Sequence, residues 1–178
     1  MMIPSILASH IELLSQSHVL CLGDLMLDRF IYGQVDRTSP EAPVPILQIE
    51  HETTMLGGVG NVARNLIGLG AKATLLSVVG DDDIGKTLTH MIGEENTVEP
   101  HLIVEPNRNS TEKTRFVASG QQLLRADRET VSWISEQSKQ KLLWIAKDII
   151  KDCDVLILSD FAKGILSNEV CRDLFSYA

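Results

Sequence analysis

The sequence predicts an α/β fold in which helices flank a parallel sheet. Continuous apolar runs typical of strands buried on both faces occupy residues 19–22, 73–79 and 154–158. Segments with the apolar spacing of helices occupy residues 6–14, 62–69, 84–92 and 136–151, and a last one begins near Ser167. Because strands and helices alternate along most of the chain, the strands should lie parallel in one sheet.

Two polar, extended stretches interrupt this alternation and predict a small β lid outside the main sheet. They cover residues 30–50 and 106–127. In the first stretch, Pro43 and Pro45 fall within an alternating pattern, and proline is confined to sheet edges because it lacks a backbone donor. The second stretch contains strand candidates at residues 113–117 and 121–125.

The length of the chain predicts one domain, because 178 residues can bury a substantial core without dividing. However, the chain stops within the apparent helix that follows Ser167. A sheet of three or four central strands would then keep an uncovered edge. We therefore expect residues 1–178 to be the N-terminal part of one longer domain, truncated at the C-terminus.

Composition disfavours several classes of function. A net charge of −8 argues against a protein that binds the nucleic-acid backbone. The N-terminus lacks the basic region of a signal peptide, and no run of about 18 apolar residues could span a bilayer. We therefore expect a cytoplasmic protein with no membrane partner. The odd set of Cys21, Cys153 and Cys171 predicts reduced thiols, without a disulfide or a metal role.

The glycine-rich stretch at residues 57–60 precedes a helix and predicts a ligand-binding turn. Glycine permits positive φ and leaves backbone N–H groups open to a ligand. Two other interpretations stay open. Gly58 to Ala63 fits the G-x-G-x-x-A fingerprint of dinucleotide-binding oxidoreductases, and the glycines could also form only a tight turn. The polar residues before Gly57 disfavour the fingerprint, which should follow a buried strand.

Polar side chains follow the first predicted strand, at the end where open α/β sheets bind ligands. Asp24 and Asp28 could accept hydrogen bonds from vicinal hydroxyls, and Asn61 offers both a donor and an acceptor. Together with bare backbone, these groups suit a sugar better than an apolar ligand. Individually, Asp24 could instead cap a helix and Asp28 could be a solvated surface charge.

These residues resemble the signature of the ribokinase-like (PfkB) carbohydrate kinases. Gly57, Gly58, Asn61 and Ala63 match its glycine-rich segment, and Gly80-x-Asp82-x-x-Gly85 resembles its next turn. Within the family, the likeness is closest to kinases of D-glycero-β-D-manno-heptose 7-phosphate. Four segments carry that likeness: Gly23-Asp24-x-Met26-Leu27-Asp28-Arg29, Ser39-Pro40-Glu41-Ala42-Pro43-Val44-Pro45, Gln121-Gln122-Leu123-x-Arg125-x-Asp127 and Leu158-Ser159-Asp160-Phe161-Ala162-Lys163-Gly164.

The resemblance implies a Rossmann-like sheet with a small β lid, and a possible homodimer through that lid. The substrate-binding residues it implies are Asp24, Asp28, Gly57, Gly58 and Asn61 for the sugar. Lys113, Arg115 and Lys163 are assigned to the substrate 7-phosphate or to the lid, because a phosphate needs local cations. For these three cations, a solvated or lid-packing role stays open.

The resemblance also implies a reaction, the transfer of the ATP γ-phosphate to the C1 hydroxyl of the heptose 7-phosphate with Mg²⁺. In the family, the catalytic base is an aspartate in a Gly-Ala-Gly-Asp segment, and this sequence contains no such segment. We therefore expect no catalytic or metal-binding residue in this chain, and no activity from it alone. The alternatives are another sugar kinase of the same family and a non-catalytic module that binds sugar phosphates.

Overall fold

A computed structural model describes residues 11–95 and 97–178. Within these residues, eight strands form two sheets: β1 (His18–Gly23), β2 (Leu25–Thr38), β3 (Pro45–Gly58), β4 (Lys72–Gly80), β5 (Val98–Glu105), β6 (Thr111–Ala118), β7 (Gln121–Arg128) and β8 (Val155–Ser159). The helices between and after them are α1 (Val59–Gly68), α2 (Asp83–Gly93), α3 (Glu136–Ile149) and α4 (Asn168–Tyr177).

The first sheet has the order β5-β4-β1-β8, and all its strands are parallel. Its side chains alternate between two apolar clusters, so that Leu75 packs on one face and Leu76 on the other. Helices α1 and α2 contribute to the first cluster, and α3 and α4 to the second. The predicted fold class, a parallel sheet with helices on its faces and a second sheet beside it, is therefore confirmed.

The second sheet has the order β3-β2-β6-β7 and is mixed, because β2 pairs parallel with β6 whereas the other two pairs are antiparallel. Strand β2 begins beside the parallel sheet at Leu25, and strand β3 ends beside it at Gly58. The opposite ends of both strands are exposed. The extended region is thus longer than the predicted residues 30–50. The alternating pattern at those residues covers only the outer part of the two strands.

Strand β5 has no counterpart among the predicted elements. Its sequence, Val98–Glu105, contains two acidic residues, a histidine and Pro100, which mask the apolar run at residues 102–104. The strand lies at the edge of the parallel sheet, where a proline is tolerated. An edge position therefore explains both the weak pattern and the missed prediction.

Helix boundaries agree with the sequence to within a few residues. Helix α3 ends at Ile149 and a 3₁₀ turn continues through Ile150–Asp152, where residues 136–151 were predicted as one helix. Most of the helix predicted at residues 6–14 lies outside the described residues. Among the described helices, none combines the length and the apolar character that a membrane crossing requires.

Candidate functional site

The candidate site lies at the carboxyl end of β1, where the glycine-rich stretch meets the parallel sheet. The main-chain oxygen of Asp24 accepts a hydrogen bond of 2.9 Å from the N–H of Val59, the first residue of α1. Gly58 has φ of 58°, and a Cβ added there would lie 2.1 Å from the Asp24 oxygen. Both the backbone conformation and the close contact therefore require glycine at this position.

The side chain of Asp24 connects this turn to the loop after β8. Its Oδ2 accepts hydrogen bonds from the N–H groups of Phe161 (2.7 Å) and Lys163 (3.1 Å). The residue is 1% exposed, and its Oδ1 has no hydrogen-bond partner within the described residues. Burial raises the pKa of Asp24, although the two N–H donors act in the opposite direction. Asp24 is thus directed at the protein interior and orients the loop.

That loop, at residues 160–164, has a constrained backbone. Ala162 adopts φ of 57° and Gly164 φ of 93°, both in the left-handed region. The carboxylate of Asp160 accepts a hydrogen bond of 2.7 Å from the Ala162 N–H. A Cβ on Gly164 would lie 2.1 Å from the Ser132 carbonyl oxygen. A left-handed alanine persists only where surrounding contacts determine the conformation, and here the Asp24 and Asp160 carboxylates supply them.

Asp28 lies at the base of the second sheet, beside the same glycines. Its carboxylate forms an ion pair of 2.5 Å with the guanidinium of Arg115 on β6, and both side chains are about one-fifth exposed, at 18% and 21%. A Cβ on Gly57 would lie 2.2 Å from Asp28 Oδ2. The missing side chain at Gly57 therefore provides the space that the carboxylate occupies.

Of the other predicted residues, Lys113 shares the sheet face of this ion pair, and Asn61 lies on the helix after the glycines. Lys113 is the parallel register partner of Asp28, so that both side chains emerge on the same face of the second sheet. Arg115 also stacks over the ring of Phe30, 5.0 Å from its centroid. Asn61 is exposed in the first turn of α1, directly after the glycines. The structure thus collects Asp28, Lys113 and Arg115 on one sheet face, with Gly57 against the carboxylate.

Lys163, like Arg115, is paired with a carboxylate of the protein, but it lies in the loop after β8 and not on the second sheet. Its N–H donates to Asp24, its carbonyl oxygen accepts from Arg108, and its ammonium pairs with Glu129 at 2.9 Å. The side chain of Lys163 is only 16% exposed. In this conformation the Lys163 ammonium forms an ion pair with Glu129 and is not directed at solvent.

Arg108 is a residue that the sequence analysis missed. Its guanidinium donates hydrogen bonds to the carbonyl oxygens of Thr130, Ser132 and Lys163, and lies 3.5 Å from the carboxylate of Glu105. The side chain is 5% exposed. Arg108 thereby joins the segment after β7 to the loop after β8. A single arginine in a polar loop carries no pattern that would reveal this role before the fold is known.

Comparison with known proteins identifies the family. The family model described as pfkB family carbohydrate kinase matches residues 16–178. The chain belongs to this family. It is therefore a member of a family of phosphotransferases that act on carbohydrates, as the sequence resemblance indicated.

Curated relatives and solved structures agree with this assignment. The chain is 49% identical over 174 residues to the bifunctional protein HldE of Paramagnetospirillum magneticum. This alignment covers 98% of the chain and 36% of that relative. It is 52% identical over 158 residues to HldE of a Caulobacter species, covering 89% of the chain and 32% of the relative. The chain thus spans about a third of the length of these relatives.

Among solved structures, the chain is similar in fold to the phosphofructokinase-2 of Escherichia coli in complex with substrates and products, with a TM-score of 0.67 and 20% identity. That match covers 90% of this chain and 49% of the other. A putative phosphofructokinase of Staphylococcus aureus gives the same TM-score at 13% identity, covering 90% and 48%. At these identities the likeness concerns the fold alone.

The pfkB fold also explains why the dinucleotide interpretation of the glycines is wrong. The fingerprint requires a strand of the parallel sheet immediately before the glycines. Here the glycines end β3, which pairs antiparallel with β2 in the second sheet. A βαβ unit with a pyrophosphate at its first turn is therefore not formed around Gly58.

The described residues contain no cluster of side chains that would by itself form a metal site. No group of three or more histidine, cysteine or acidic side chains in this part of the chain could hold a metal ion. Magnesium that accompanies a nucleotide is commonly held by one or two carboxylates together with phosphate oxygens and water, so this observation concerns an all-protein site only. The arrangement present here, a carboxylate beside two cations on a sheet face, instead suits hydroxyls and a phosphate group.

Proposed function

We propose that this chain provides the sugar-binding part of an ATP-dependent kinase that phosphorylates D-glycero-D-manno-heptose 7-phosphate at C1, in the synthesis of ADP-heptose for lipopolysaccharide. The observation that carries the proposal is the Asp28–Arg115 ion pair, which lies against Gly57 on the face that also carries Lys113. A carboxylate for hydroxyls and adjacent cations for a phosphate are what a sugar phosphate requires. The sequence identity of about 50% to HldE proteins supports heptose 7-phosphate as the substrate.

The proposed roles follow from position. Asp28 and Asn61 form hydrogen bonds with sugar hydroxyls. Gly57 leaves the space that the Asp28 carboxylate occupies, and Gly58 permits the turn that holds both glycines beside the sugar. Lys113 and Arg115 bind the 7-phosphate, and Arg115 also orients the Asp28 carboxylate. Asp24 lies beneath the sugar and fixes the two loops that surround it. Lys163 reaches the phosphate only when its ammonium leaves Glu129.

For catalysis, the parent protein would place the γ-phosphate of ATP and Mg²⁺ opposite the C1 hydroxyl of the bound sugar. Phosphoryl transfer depends chiefly on positioning, charge stabilisation and a base at the attacking hydroxyl. The residues of this chain contribute to the positioning of the sugar and the neutralisation of its 7-phosphate. The family's catalytic aspartate lies in a segment that the printed sequence does not contain, so we expect binding without turnover from these 178 residues.

The proposal is tested by calorimetric titration of the purified chain with heptose 7-phosphate, fructose 6-phosphate and ribose. We expect heptose 7-phosphate to bind most tightly, and Asp28→Asn to weaken its binding about tenfold or more, because a hydrogen bond to a charged group is lost. Asp148→Asn is the matched control, since Asp148 is 79% exposed on α3 and forms an exposed pair with Lys151. Preference for another sugar phosphate would favour a different kinase of the family. Heptose- and ATP-dependent turnover by the chain would contradict the expected inactivity.

The second sheet also supports a homodimer, because β7 is exposed along its whole length and carries Leu123 and Leu124. An edge strand with unpaired backbone groups is a surface suited to pairing. Sedimentation velocity of the chain, compared with a Leu124→Lys variant, tests this: we expect a dimer that the charge at position 124 weakens.

The free thiols of Cys21, Cys153 and Cys171 support the cytoplasm as the compartment.

A further inference from the structure

The ion pair between Glu129 and Lys163 joins the two sheets. Glu129 directly follows the last residue of β7, and Lys163 lies in the loop after β8. The Glu129 side chain is 22% exposed and that of Lys163 16%, and their charged atoms are 2.9 Å apart, in an ion pair without hydrogen-bond geometry. The pair is thus partly shielded from solvent. Glu129 lies two residues beyond Asp127, which is the register partner of Lys113 on the face that we propose for the substrate.

The backbone at Lys163 does not depend on this ion pair. The Lys163 N–H is already bound by Asp24, and its carbonyl oxygen by Arg108. A further hydrogen bond of 3.0 Å runs from the Ile134 N–H to the Gly164 oxygen. Glu129 therefore determines only where the ammonium of Lys163 is directed.

We propose that Glu129 is a specificity residue of the sugar-phosphate site, an inference that rests on the proposed function. Glu129 keeps the Lys163 ammonium occupied, so that only an anion able to replace a carboxylate gains access to it. A phosphate group carries a charge of about −1.5 to −2 near neutral pH and three acceptor oxygens, whereas a carboxylate carries one charge. A phosphate dianion can displace Glu129, and a neutral sugar cannot.

Two consequences distinguish this role from a purely structural one. Binding of a phosphorylated sugar includes the cost of separating Lys163 from Glu129, so removal of the carboxylate should tighten that binding. Binding of the same sugar without its phosphate does not involve the ammonium and should not change. A structural role of Glu129 would instead predict that its removal weakens both ligands together.

The experiment compares Glu129→Gln with the unaltered chain in calorimetric titrations with heptose 7-phosphate and with unphosphorylated heptose. We expect heptose 7-phosphate to bind about two- to fivefold more tightly, the range measured for partly exposed ion pairs, with no change for heptose. Lys163→Met in the Glu129→Gln background should abolish the gain. Asp148→Asn, which removes one equal charge from an exposed pair on α3, should give no gain.

A second measurement needs no sugar. Acetylation by an activated ester, followed residue by residue by mass spectrometry, should modify Lys163 slowly in the unaltered chain and several-fold faster in Glu129→Gln, with Lys151 as the exposed reference. Equal rates at Lys163, or weaker binding of both ligands to Glu129→Gln, would overturn the inference. If the unaltered chain binds heptose 7-phosphate and the variant binds it no better, only this inference fails. If neither protein binds it, the proposed function fails and this inference fails with it.

Discussion

The two sheets of this protein differ in what they bury. In β4 of the parallel sheet, every residue after Lys72 is buried, whereas in β7 of the second sheet every residue is exposed. The parallel sheet is enclosed by apolar clusters on both faces, and the second sheet carries ion pairs such as Asp28–Arg115 and Arg29–Glu112. The parallel sheet is therefore buried on both faces. In the second sheet, the inner ends of β2 and β3 join the core through Leu25, Leu27 and Leu56, whereas β7 carries its charged groups at the surface.

The largest effect is expected from the same substitution made in each sheet. Leu76→Ala removes a side chain that is 0% exposed in β4 and should lower the free energy of unfolding by about 2–5 kcal/mol. Leu124→Ala removes one that is 60% exposed in β7 and should lower it by less than about 0.5 kcal/mol. Urea denaturation of both variants measures the difference. Equal losses would show that the second sheet contributes to the core as much as the first.

A smaller effect is expected at the carboxylate between the sheets. Asp24→Ala leaves the N–H groups of Phe161 and Lys163 without their acceptor, and a buried unpaired N–H group costs about 1–3 kcal/mol. Removal of a buried charge with a raised pKa offsets part of this loss, so we expect a net destabilisation of about 1–2 kcal/mol. Faster amide exchange at residues 161–163 would accompany it. Unchanged exchange would contradict the role of Asp24 in orienting the loop.

The pH dependence of Asp82 provides a third test, since this residue connects the two sheets through Ser110. Burial alone would raise the pKa of Asp82, but hydrogen bonds from Ser110 and from the Gly85 N–H outweigh it and hold the pKa below 3.8. A lowered native pKa adds stability above the unfolded-state value, and this stability is lost as the pH falls through the native pKa. Asp82→Asn should therefore destabilise the protein at pH 7. The difference from the unaltered protein should shrink below about pH 4. A difference that is constant from pH 7 to pH 2.5 would contradict this assignment.

The smallest effect is expected from an exposed pair on the second sheet. Arg125 and Asp127 lie 2.9 Å apart along β7, and the arginine side chain is 47% exposed. Arg125→Gln should change the free energy of unfolding by less than about 0.5 kcal/mol, because exposed ion pairs are solvated and screened. Thermal unfolding at low and at high salt measures this. A loss above 1 kcal/mol would show that the ion pairs of the second sheet are structural.

The sequence predicts the parallel sheet well because both of its faces are buried. Continuous apolar runs such as residues 73–79 have few structural alternatives. Strand β5 was missed because an edge strand tolerates Pro100 and charged residues, which hide its pattern. Strand β2 begins at Leu25, two residues after β1 ends at Gly23, and its first three residues are apolar and buried. Hydrophobicity therefore does not separate the two strands.

Some residues of the candidate site could likewise be predicted from local sequence patterns, and others could not. The glycine-rich stretch and Asp28 carry short-range patterns, and the structure places Asp28, Gly57, Lys113 and Arg115 together. The contacts of Asp24, Arg108 and Glu129 join segments far apart in sequence, such as the Glu129–Lys163 pair. These pairings depend on how the two sheets meet, which no local pattern specifies.

The most direct test of the account is backbone nuclear magnetic resonance of the chain during titration with heptose 7-phosphate. We predict saturable shifts at Asp28, at the glycine-rich stretch of residues 57–61 and at Lys113 and Arg115. We expect no shifts on the helical surfaces of α3 and α4 or at the outer ends of β2 and β3. A folded chain that shows no shifts, or whose shifts lie away from Asp28 and Gly57, would contradict the claim that the second sheet and the glycine-rich stretch form a sugar-phosphate site.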